Sequence, residues 1–166
     1  MRGLFLLFFL STITFASAQR AVVSWAYGAF GTRGDAAFLV EDGRIFQACG
    51  PYGSRGPCLY VFDREQVFHS ADAFGQRGMA AYTLNGNNFS RCHGAFCTKG
   101  NCTLLVEANR IFHADGAFCT KQEGAFVLDG EIVHLAEGAF AQKSDAILHL
   151  NGEVPLIALL TILAGL

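Results

Sequence analysis

Residues 116–137 read GAFCTKQEGAFVLDGEIVHLAE, and the same phrase restarts at once with GAFAQK at 138–143. Working outward from this stretch, an aromatic returns every 22 residues: Phe30, Tyr52, Phe74, Phe96, Phe118 and Phe140. A base follows each ring by three positions: Arg33, Arg55, Arg77, Lys99, Lys121 and Lys143. A fixed period of roughly 20–50 residues marks a repeat architecture, in which each unit buries its apolar face against its neighbours.

Stacking the six units exposes further columns. Glycine stands two before the ring at Gly28, Gly50, Gly94, Gly116 and Gly138, with Asp72 as the exception. A small column (Ala36, Cys58, Ala80, Cys102, Gly124, Ala146) is followed two residues on by a large one (Phe38, Tyr60, Tyr82, Leu104, Phe126, Leu148). Two further on comes an apolar one (Val40, Phe62, Leu84, Val106, Leu128, Leu150). This alternation is a strand signal. Turn residues then follow at Glu41, Asp63, Asn85, Glu107, Asp129 and Asn151, reinforced by Asp42-Gly43, Asn85-Gly86, Asp129-Gly130 and Asn151-Gly152. Ile45, Val67, Phe89, Ile111 and Val133 mark one more short strand.

Each unit therefore reads as three short strands, the first carrying the aromatic. Three strands close one triangular coil, so the expected fold is all-β, a β-solenoid of six 22-residue coils stacked about 4.8 Å apart. On that reading the aromatics form a ladder of buried, stacked rings. The alternative is an antiparallel β-meander or barrel of repeated hairpins. The stretch from Ala36 to Ala48, with Asp42-Gly43 at its tip, resembles a MORN-type hairpin, which implies one hairpin per unit.

The ends differ from the repeats. Arg2, an apolar run and Ala16-Ser17-Ala18 have the layout of a secretory signal peptide, so 1–18 is expected to be removed. The repeat domain is 19–153. The tail, 154–166, is apolar and too short to span a bilayer. It fits either a glycolipid-anchor signal with its site near Ser144 or a cap on the last coil. An exported chain with six cysteines implies disulfides, and turn-flanking positions favour Cys97–Cys102 and Cys49–Cys58. Asn88 and Asn101 head glycosylation sequons.

A formal charge of −2 argues against nucleic acid. No phosphate-binding loop, Cys-x-x-Cys pair or Ser-His-Asp arrangement is legible, so no cofactor, metal or catalytic residue is expected. His69 and His113 share a column two units apart, too far for one metal. Arg33-Gly34-Asp35 spells an adhesion tripeptide, but the repeat already accounts for Arg33 and Gly34. The expected function is structural or binding at the cell surface or outside the cell. The six bases would form a ladder for a polyanionic glycan or cell-surface polymer, and a membrane would be met only through a C-terminal anchor. The alternatives are a solenoid carbohydrate-active enzyme using the acidic turn column and a purely structural or adhesive protein.

Overall fold

The computed structural model describes residues 20–166. The expected signal peptide lies outside the described residues. Twelve antiparallel strands form a closed barrel in simple up-and-down order. They are β1 (Ala21–Tyr27), β2 (Thr32–Glu41), β3 (Arg44–Cys49), β4 (Ser54–Phe62), β5 (Gln66–Ser70) and β6 (Arg77–Asn85). The second half comprises β7 (Asn88–His93), β8 (Thr98–Glu107), β9 (Arg110–Asp115), β10 (Thr120–Asp129), β11 (Ile132–Glu137) and β12 (Gln142–Asn151). Helix α1 (Leu156–Leu163) follows.

The solenoid expectation is thus corrected, and its alternative, a barrel of hairpins, is the fold. The period was right, but each unit contributes two strands, one long and one short. The aromatic column lies in the turn between a short strand and the next long one, not in a strand. Glycines before the ring adopt φ of +68° at Gly28 and +73° at Gly116, a left-handed backbone that ends a strand. Equivalent columns therefore stand two strands apart around a ring, about 10 Å, rather than one above another. Closure joins the first strand to the last: β1 pairs with β2 on one side and β12 on the other.

Every short-to-long pair at the aromatic end carries two register shifts. Between β1 and β2, for example, Val23 faces Phe38 while Ser24 faces Ala36, leaving Ala37 as an extra residue. Such bulges bend and twist the long strand.

The core lies inside the barrel. Val23, Ile45, Val67, Phe89, Ile111 and Val133 point inward from the short strands, with Leu104, Phe126 and Leu148 from the long ones. Side chains alone fill a barrel of about eight strands, and twelve leave a wider interior. Helix α1 fills it: residues Ile157 to Leu163 are all buried and pack on these columns. A helix apolar on every side is stable only when surrounded. Its one polar side chain, Thr161, donates from Oγ1 to the Ile157 carbonyl at 2.7 Å. The apolar tail is therefore a core element, not a capping strand. An anchor cut near Ser144 would remove most of β12 and the whole helix.

The turns at the aromatic end fold back onto the outer wall. Gly53 approaches Ala36, Gly75 approaches the Cys58 sulfur, and Gly31 approaches Ala146. Ala141 packs where a Cβ on Gly124 would overlap it. The small column is small because the tip of the next hairpin rests on it.

Candidate functional site

Six turns crown one end of the barrel. Five read Gly-Ala-Phe or Gly-Pro-Tyr, and the sixth reads Asp72-Ala73-Phe74. In that turn the Asp72 carboxylate accepts the backbone N–H groups of Phe74 at 3.0 Å and Gln76 at 2.9 Å. Those bonds hold the Asp72 carboxyl below the usual carboxylate range, Gln76 contributing most. Side-chain capping thus replaces glycine's backbone freedom at this tip.

The rings point into solvent. Their exposures are 95% for Phe30, 91% for Tyr52, 80% for Phe74, 97% for Phe96, 95% for Phe118 and 78% for Phe140. The expected ladder of buried, stacked rings is overturned, because the ring sits at the apex of a turn. Ring contacts among the described residues are Trp25–Phe38, Tyr60–His69 and Tyr82–Phe89, none of which involves the crown. Two residues behind each ring stands an exposed, uncharged polar side chain: Thr32, Ser54, Gln76, Thr98, Thr120 and Gln142.

The six bases follow, on the outer wall. Four reach a carboxylate of the preceding hairpin: Arg55 to Glu41 (3.9 Å), Arg77 to Asp63 (3.4 Å), Lys121 to Glu107, and Lys143 to Asp129 (2.7 Å). Lys143 accordingly lowers the Asp129 carboxyl pKa, mainly through its hydrogen bond. In every pair the acid lies 14 positions before the base. Asn85 occupies that place for Lys99, and Asn151 occupies it for Arg33 across the closure. Arg33 instead donates from Nε to the Ser24 hydroxyl at 3.2 Å. Arg55, Arg77 and Lys121 also lie over the rings of Phe46, Phe68 and Phe112. The bases share one wall, but their heads lean away from the crown, toward the acidic turns.

Inside the crown the barrel is open. By alternation from buried Ile45 and Phe89, the residues Gln47, His69, Arg91 and His113 face the lumen, yet all are exposed. A concavity of about 510 Å³ on this inner wall is lined by Arg91, His93, His113 and Asp115 among others. No set of three metal-ligating side chains occurs among the described residues. The remaining histidines lie outside this wall; His134 is buried, with Nδ1 3.0 Å from the Ser144 carbonyl.

The disulfides differ from the expected pairs. Cys97 bonds to Cys92 and Cys102 to Cys119, whereas Cys49 and Cys58 are free thiols, exposed and buried respectively. Each bridge ties a crown turn: Cys92–Cys97 closes the Phe96 turn, and Cys102–Cys119 fastens the Phe118 turn to β8. Two disulfides fit an oxidising compartment. Asn88 begins β7, half-buried, and Asn101 lies within β8 beside the bridged Cys102. The Arg33-Gly34-Asp35 tripeptide lies in strand β2 rather than at a turn. No helix among the described residues is long and apolar enough to cross a membrane. No family model, curated protein or solved structure matches this chain.

Proposed function

We propose that this is an exported binding protein that acts through the crown end of its barrel, without a catalytic step. The observation that carries this reading is an exposed column that did not drift. Six repeats within one chain act as an internal comparison. Exposed positions nearby have diverged freely, as in Asp35, Pro57, Met79, Asn101, Glu123 and Asp145. The crown position remains aromatic in all six units although burial does not demand it. Apolar patches kept on a surface mark sites of interaction.

The polyanion ladder takes second place in this reading. Six cations face four carboxylates on the same wall, so much of the attraction for a sulfated or uronic glycan is already satisfied internally. Contact is made by the rings, and the wall of ion pairs stands behind them.

The test is retention of the mature protein on two supports, sulfated-polysaccharide beads and phospholipid-coated beads. The wild type is compared with Phe96→Ala/Phe118→Ala/Phe140→Ala and with Arg55→Gln/Arg77→Gln. Loss of retention on either support in the ring variant alone is expected. Retention lost only in the base variant, or no retention of the wild type on either support, would overturn the proposal.

A further inference from the structure

We infer that the partner of the crown is the surface of a lipid bilayer, into which the six tips dip without any strand or helix crossing it. This rests on reading the crown as the working surface, and goes beyond it by naming what the crown meets.

Three observations carry it. The first is layering along the barrel axis. The tips are apolar and, apart from Asp72, uncharged. Two residues behind come six exposed uncharged hydrogen-bonding side chains: Thr32, Ser54, Gln76, Thr98, Thr120 and Gln142. The bases begin one residue further along each long strand, while two acids, Asp115 and Glu137, stand at the neutral level itself, opposite Thr120 and Gln142. Apolar rings in front, polar and charged side chains behind, is the order met on leaving a membrane from acyl chains to headgroups and water. Aromatic side chains favour that boundary, and apolar faces lying on membranes sink about 5–10 Å into it.

The second is symmetry. Six near-identical tips surround an open mouth, so the contact has no preferred direction in the plane of the crown. A fluid bilayer is isotropic in that plane. A glycan chain runs in one direction and does not match the symmetry of a closed ring of tips. The third is chemistry at the tips. Five of the six rings are phenylalanine, which offers no donor or acceptor to sugar hydroxyls. Because most bases are already paired, docking is insensitive to salt and does not require anionic lipid.

The experiment uses vesicles of phosphatidylcholine alone and the disulfide-intact mature protein. The chain has one tryptophan, Trp25, which packs against the core, so Phe118→Trp adds a reporter at a tip. Vesicles should shift the added emission to the blue, and acyl-chain-brominated lipid should quench it while leaving Trp25 unquenched. Phe118→Ala/Phe140→Ala should weaken vesicle binding about 10-fold or more, and high salt should change it little. Crown-dependent retention on polysaccharide beads without vesicle binding would overturn this inference and leave the crown reading standing. Vesicle binding that needs anionic lipid and vanishes with salt would also overturn it. So would a dimer that the crown substitutions dissociate, since a second copy would then cover the rings. Absence of binding to both supports would remove both proposals.

Discussion

Cys119, in the turn between β9 and β10, is disulfide-bonded to Cys102 on the wall of the preceding hairpin, with 5.0 Å between their Cα atoms. The same two columns meet in other units without a bond. Gly75 is placed so that a Cβ there would lie 3.2 Å from the Cys58 sulfur.

Gly75→Cys should therefore bond to Cys58 and copy the natural bridge. Cysteine already adopts the left-handed backbone of this column, at φ +53° in Cys119. The Arg44 side chain lies within 3 Å of the new Cβ and must swing aside. The closed loop should add about 3 kcal/mol by the chain-entropy account. Thiol titration of the denatured variant should find only Cys49 free, and reduction should return the added stability.

Two phenylalanines should behave in opposite ways. Phe89 is fully buried inside the barrel, and Phe89→Ala should destabilise by about 3–5 kcal/mol. Phe96 is 97% exposed, so Phe96→Ala should change stability by less than about 0.5 kcal/mol. Denaturant midpoints measured side by side check both. A large loss at Phe96 would mean that the crown is structural.

The helix should be indispensable. Leu160 is fully buried at the centre of the core, so Leu160→Ala should lower stability by about 2–5 kcal/mol. A chain ending after Asn151 should bind a dye specific for exposed apolar surface and lose cooperative thermal unfolding. An unchanged transition would refute the helix as the core of the barrel.

Removing the acids should reveal the bases. Glu41→Gln/Asp63→Asn frees Arg55 and Arg77 from their partners while keeping the Oδ1 that accepts the Glu65 and Gln66 backbone N–H groups. Elution from a sulfated-polysaccharide column should move to higher salt than for the wild type. Each exposed pair is worth only about 0–1 kcal/mol, so stability should change little. Unchanged elution would mean that the carboxylates do not restrain the ladder.

Acid should loosen one tip selectively. The folded pKa of Asp72 lies below its ordinary value of 3.8, because backbone N–H groups favour the carboxylate. Its contribution is therefore complete above 3.8 and is lost as pH falls through the lower folded value. Hydrogen exchange at the Gln76 amide should accelerate in that window relative to the amide of Gly53, whose turn has no such carboxylate. Asp72→Asn, which cannot titrate, should remove the difference.

Repetition, strand parity and the small, large and apolar columns were legible in the residues, because a period of two or of 22 needs no third dimension. Asp72, the one break in the glycine column, could be marked as irregular but not explained until its carboxylate was seen capping the turn. Gly-Ala-Phe suits a strand start or a turn apex equally, and phenylalanine is usually buried. Local pattern therefore favoured a third strand, three-sided coils and buried rings. The outcome was decided by which strand each hairpin pairs with, and that depends on bulges and curvature summed around twelve strands. The same closure turns the tail from an apolar appendage into the core, since only a barrel of this width needs a helix inside it. It brings base and acid together at an offset of 14 residues, and joins Cys102 to Cys119 by folding one tip over the previous wall. The chain by itself determined the repeated unit; the tertiary structure alone decided which side of that unit faces water, because burial belongs to the closed ring and not to any one hairpin.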